Sequence, residues 1–169
     1  MPDSSADQDM HFMRMALAIA ARASAAGEVP IAALLVQGSE VLASSHNFRE
    51  TWQDPTAHAE LIVIREAAKR CGTWRLLDTT LYATVEPCPM CLGAIILARI
   101  PRLVFGARDT KAGACGSVLD FSRNPRLNHQ VAVTGCVLEE ESQALLRKFF
   151  RGLRSEGLSV ESQSPTDRI

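Results

Sequence analysis

The stretch LYATVEPCPMCLGAIILARIPRLVF, residues 81–105, decides how this chain folds. Thr80 to Val85 reads as a short buried strand, apolar and rich in β-branched residues. Pro87 opens a helix, and both Pro87 and Pro89 suit a first turn, where a missing N–H costs little. The apolar run beyond Met90 carries that helix to about Ile100-Pro101. Arg102 to Gly106 is the next strand. A strand–helix–strand crossover pairs its two strands in parallel when they are neighbours.

Outward from this unit the same signals repeat. Met10 to Ala26 carries Phe12, Met15, Ala16, Ile19, Ala20 and Ala23 at helical spacing, and Gly27 closes it. Pro30 to Val36 and Val41 to His46 flank the turn Gln37-Gly38-Ser39-Glu40 and form a hairpin. A polar loop, Asn47 to Asp54, precedes a helix opened by Asp54-Pro55-Thr56 and running to Cys71-Gly72. After the central unit come a long loop from Thr110 to Asn128, a strand from Val131 to Thr134, and a helix from Leu138 to Leu153. Leu138, Leu145, Leu146, Phe149 and Leu153 line one face of that last helix. Strands alternating with helices predict an α/β fold with helices on both faces of the sheet.

The chain has 169 residues, which is one domain's worth. The folded body is expected at residues 10–155, with flexible tails at 1–9 and 156–169. The net charge of −1 excludes a protein that binds polyanions through bulk positive charge, but not one with a local basic face. Two such stretches exist. Residues 99–126 hold Arg99, Arg102, Arg108, Lys111, Arg123 and Arg126 against Asp109 and Asp120. Residues 147–154 hold Arg147, Lys148, Arg151 and Arg154 with no acid. Five cysteines cannot all pair with one another, and no leader-like basic start or run of about 20 apolar residues is present. The expected setting is reducing and cytoplasmic, away from membranes, where clustered cysteines bind metal or do chemistry.

Two clusters carry that chemistry, each at the start of a helix. One is Thr56-Ala57-His58-Ala59-Glu60, the other Glu86-Pro87-Cys88-Pro89-Met90-Cys91. Cys88 and Cys91 are three apart and share a helix face, where the helix N-terminus favours thiolate. Two thiolates and one imidazole give a tetrahedral zinc three ligands, with the fourth position open to water, the catalytic pattern. Glu60 suits a proton carrier better than a ligand.

The paired clusters resemble the zinc-dependent cytidine/adenosine deaminase superfamily, by recognition of a known signature. Further segments narrow the likeness to bacterial tRNA-specific adenosine deaminases: Asp54 to Glu60, Phe105 to Asp109, Lys111 to Ser117, Leu127-Asn128-His129 and Phe149-Phe150-Arg151. The resemblance implies a cytidine deaminase-like three-layer sandwich with a mixed sheet of about five strands. It implies one Zn2+ per subunit held by His58, Cys88 and Cys91, with Glu60 shuttling protons. The expected reaction converts adenosine to inosine at the wobble position of a tRNA anticodon, with the arginine tRNA of anticodon ACG as the expected partner. A homodimer is expected. Asn47 would contact the flipped nucleoside and Asp109 the substrate backbone or sugar. Lys111 and Arg151 are candidate phosphate contacts; Phe149 and Phe150 could both stack on bases, with helix packing the better reading for at least one, and Phe149 is carried as the site residue. Residues 89–95 also look like bacterial guanine deaminases, so a guanine or cytosine deaminase is the alternative. A non-catalytic zinc-stabilised RNA-binding module is the third reading. Cys71, Cys115 and Cys136 are expected to be small buried packing residues. His129 is open between capping a loop and touching RNA.

Overall fold

A computed structural model describes residues 5–155 of the chain. The elements, in order, are α1 (Ser5–Ala25), β1 (Ala32–Gln37), β2 (Glu40–His46), α2 (Arg49–Trp52), α3 (Ala59–Cys71), β3 (Thr79–Val85), α4 (Pro89–Leu97), β4 (Arg102–Ala107), β5 (Ala132–Thr134) and α5 (Glu139–Ser155). The strands form one sheet in the order β2-β1-β3-β4-β5. β1 pairs antiparallel with β2 and with β3, whereas β3–β4 and β4–β5 are parallel. The sheet is therefore mixed, with the parallel pair set by the crossover through α4.

Side-chain alternation divides the core into two layers. Ala33 and Leu35 of β1, with Leu81, Ala83 and Leu103, pack against Val63, Ala67, Leu92 and Ile95 of α3 and α4. Leu34, Val36, Tyr82 and Val104 point the other way, onto Phe12, Met13 and Ala16 of α1, with Leu138 at the edge. Both faces of the sheet are covered, which is why its strands read as nearly continuous apolar runs. This is the expected three-layer α/β sandwich.

Four boundaries differ from the sequence reading. Helix α1 begins at Ser5, so residues 5–9 are helical and not a loose tail; residues 1–4 and 156–169 lie outside the described residues. Asp9 is buried, accepting two bonds from the Arg102 guanidinium (2.7 and 2.6 Å) and one from the Tyr82 hydroxyl (2.9 Å). Three acids in nine residues look solvated when the buried partner is 93 positions away. Arg102 is thereby committed to a structural ion pair, not free for phosphate. Helix α3 begins at Ala59, since Asp54 instead closes a turn by accepting from the Thr56 N–H and hydroxyl (both 2.7 Å). Helix α4 spans Pro89–Leu97, shorter than expected at both ends.

The functional end of the sheet follows from the topology. The parallel strands β3 and β4 both deliver their carboxyl ends there, as Glu86-Pro87-Cys88 and Arg108-Asp109. Strand β1 runs the opposite way, so its start and the end of β2, at His46-Asn47, arrive at the same edge. Ligand crevices of α/β sheets lie at such carboxyl ends.

Candidate active site

His58 and Cys88 occupy equivalent positions on two helices. Each is an N-cap residue in extended backbone: φ −77°, ψ 145° for His58 before α3, and φ −73°, ψ 172° for Cys88 before α4. Neither side chain bonds its own helix start, so both are free to turn outward. Cys91 stands at the third helical position of α4, and N-cap and third-position side chains meet by the geometry that makes capping boxes. His58 Nδ1 lies 3.7 Å from Cys88 Sγ and 3.5 Å from Cys91 Sγ, and the three ligand atoms fall within 4.8 Å of one another.

A tetrahedral ion with ordinary Zn–N and Zn–S lengths sets its nitrogen and sulfur ligands about 3.6 Å apart. The observed spacings match, so the donor set fits zinc in both chemistry and span. The protonation of the thiols agrees. Cys91 donates to Cys88 and holds it down to about 4, while that same bond and burial push Cys91 far up. The bond to Cys88 raises His58.

Glu60 is the second residue of α3 and is only 4% exposed. Burial raises its carboxyl above the usual range, bringing it nearer to neutrality, as a proton carrier requires. His58 and Glu60 are two apart and would point apart in mid-helix. They converge here because His58 precedes the helix and Glu60 belongs to it.

The cluster opens into a cavity of about 360 Å³. Asn47, Asp109 and Lys111 line it together with His58, Glu60 and Cys88. Phe149 and Arg151 are not among its lining residues; Phe150 is. Phe149 and Phe150 are successive on α5 and so project about 100° apart around the helix, which lets Phe150 reach the cavity where Phe149 does not.

Two buried carboxylates build the walls, and the sequence reading missed the role of both. Glu28, fully buried, accepts the N–H groups of Thr51 (2.6 Å) and Glu50 (3.3 Å), fixing α2. Its Oε2 also accepts from Asn47 Nδ2 at 3.5 Å. That orients the amide so that Asn47 Oδ1, itself buried, has no protein partner. Glu86 accepts the N–H groups of Cys115 (2.9 Å), Asp109 (3.1 Å) and Ser117 (3.1 Å), and the Ser117 hydroxyl. Burial works to raise its carboxyl, but these bonds outweigh it and hold it below the usual range. The loop wraps so closely that a side chain at Gly113 would press on Glu86 and come within 2.6 Å of the Asp109 carbonyl. No periodicity marks either glutamate, since their partners are backbone N–H groups up to 31 residues away.

The remaining singled-out residues find plain roles. His129 Nε2 is 2.8 Å from the Ile100 carbonyl and ties the long loop to the end of α4. Contrary to expectation Cys71 and Cys136 are exposed, and Cys115 is half-buried, its thiol pushed up to about 12 by burial. No described helix is long and apolar enough to cross a membrane.

A buried acid thus stands beside three residues that could hold a metal, in a cavity at the sheet's carboxyl edge. The chain belongs to the MafB19-like deaminase family, whose pattern matches residues 7–154. It is 50% identical over 149 residues to the tRNA-specific adenosine deaminase of Bacillus subtilis, covering 88% of this chain and 92% of that one. A solved structure from work on A-to-I editing by tRNA:A34 deaminases superposes with a TM-score of 0.77 at 45% identity, covering 80% of this chain and 99% of the other. The guanine deaminase of Nitrosomonas europaea superposes at 0.69 with 25% identity, over 86% of this chain and 84% of its own.

Proposed function

We propose that this chain is a zinc-dependent tRNA deaminase that converts adenosine to inosine at the wobble position of an anticodon. The observation that carries the substrate is the contrast in likeness: 45–50% identity to the adenosine deaminases of tRNA, against 25% to a guanine deaminase on the same scaffold. The guanine reading keeps the fold and the metal cluster but not that degree of likeness. A binding module without catalysis has no use for a buried Glu60.

Bound by His58, Cys88 and Cys91, zinc would supply the Lewis acidity that makes a water nucleophilic at neutral pH. Glu60 takes one proton from the attacking water and delivers it to the adenine ring nitrogen; it then takes the second from the new C6 hydroxyl and delivers it to the amino group, which leaves as ammonia as C6 becomes a carbonyl. Burial raises its carboxyl above the usual range, which favours holding a proton between the two transfers. Asn47 holds the flipped nucleoside through Oδ1, which Glu28 leaves open to a substrate donor. Asp109 faces the sugar and Lys111 a phosphate, both held in place by the loop around Glu86. Phe150, not Phe149, is the ring at the wall. The arginine tRNA with anticodon ACG is the proposed substrate, in the cytoplasm.

A homodimer is part of the same reading. Met90 and Leu97, seven apart and so on one face of α4, are exposed, as are Val118 and Leu119 of the loop that bonds back to Pro87 through the Ala114 N–H. Apolar surface of this kind suits a second copy.

The test is incubation of purified protein with an anticodon stem-loop containing ACG, with inosine located by sequencing. Inosine at the first anticodon position is expected, and far less when the same sequence is held in a duplex, because flipping costs least in a loop. Deamination of free guanine with none of RNA would overturn the reading.

A further inference from the structure

Three rings form a ladder beside the cavity. His46 stacks on Phe48 with centroids 4.2 Å apart and planes 18° apart; Phe48 stacks on Trp52 at 4.5 Å and 16°. The ladder is fixed at its inner end, where the His46 ring nitrogen Nδ1 meets the Asn47 carbonyl at 2.6 Å. None of the three rings lines the cavity itself, but Asn47 and Arg49, on either side of Phe48 in sequence, both do, so the ladder is carried by the segment that forms this part of the rim. The Phe48 N–H bonds the Ala57 carbonyl, one residue before His58. At the outer end, Trp52 is 51% exposed.

The second tryptophan supplies a contrast. Trp74 is equally exposed at 52%, but guanidinium groups lie over it, Arg75 at 4.1 Å and Arg99 at 5.8 Å. Among the described residues no such cation lies over Trp52. Its stack with Phe48 uses one face, and the other continues the ladder outward.

We infer that Trp52 is a stacking platform for a nucleobase flanking the target adenosine, with Arg49 at the rim facing the phosphate between them. The inference rests on the RNA reading of the cavity. Flipping one nucleotide strips its neighbours of a stacking partner. The cavity admits one base, so a neighbour must cross the rim, and an aromatic face there restores the lost stack. Recognition by stacking tolerates any base and so adds affinity with little sequence demand.

Trp74→Phe leaves Trp52 as the sole tryptophan. Titrating that variant with the anticodon stem-loop should quench Trp52 fluorescence. An abasic residue at one position flanking the target should remove most of the quenching. Trp52→Leu should raise KM for the stem-loop about tenfold with kcat within about twofold, and Trp52→Phe should recover most of the loss. Stem-loop that is bound and edited without quenching, or a Trp52→Leu enzyme with parental KM, overturns the platform alone. Quenching by protein concentration without RNA assigns Trp52 to a contact between copies and also overturns it. Stem-loop that the parent neither binds nor edits overturns the RNA reading together with the platform.

Discussion

The floor and the rim of the cavity are built by different physics. The floor is local: His58 and Cys88 are the N-cap residues of α3 and α4, and Glu60 and Cys91 sit within the first turn of the same helices. The rim is long-range: Asn47 and α2 hang on Glu28, and the loop carrying Asp109 and Lys111 hangs on Glu86. The proposed chemistry thus rests on two helix starts, while the proposed recognition sits on segments held by buried carboxylates.

The largest expected effects break the floor. Cys88→Ala should abolish stoichiometric zinc, read by elemental analysis, and with it all measurable turnover. Glu60→Gln should keep zinc and RNA binding but lose roughly 10²–10⁴-fold or more in kcat. If Glu60→Gln bound no zinc, the glutamate would be a ligand and the division of roles would fail.

Next comes the rim's anchor at Glu86. Glu86→Gln turns one acceptor oxygen into a donor facing N–H groups. A cost of about 2 kcal/mol is expected, seen as a melting point lower by roughly 4–8 °C. Zinc content should be unchanged, since the thiols belong to the N-cap and first turn of α4. Loss of zinc in this variant would show that floor and rim are one unit.

A smaller and more selective effect is expected at Glu28. Glu28→Gln can donate to Asn47 Oδ1 and let the amide turn over, so KM should rise roughly tenfold while kcat changes little. Equal falls in kcat and kcat/KM would instead assign Glu28 to general stability.

The smallest effect concerns Asp54, which shapes the entry to α3. Bonds from the Thr56 hydroxyl and N–H hold its carboxyl below the usual range. A lowered folded-state pKa stabilises the fold above the ordinary carboxylate value and loses that contribution as pH falls through the folded one. Denaturation of Asp54→Ala should therefore depend less on pH below roughly pH 4 than that of the parent chain, with activity at neutral pH little altered.

Legibility in the sequence follows the same division. The α4 crossover, the hairpin and the two helix starts were readable because their signals lie within a few residues: proline at a first turn, apolar runs, a three-residue thiol spacing. Helix α1 was placed five residues late because Asp9 looks solvated until Arg102 and Tyr82 are folded against it. Phe149 was chosen over Phe150 because both ring types fit the pattern, and only the packing of α5 decides which faces the cavity. The single-turn helix α2 was invisible, since four residues carry no periodicity.

By itself the sequence determined the layered α/β class and singled out His58, Cys88, Cys91 and Glu60 as candidates, because hydrophobic period and helix-start chemistry are short-range. Tertiary structure decided what faces the substrate. Buried Glu28 and Glu86 find their donors far along the chain, and burying a charge is tolerable only where folding has brought those donors to it.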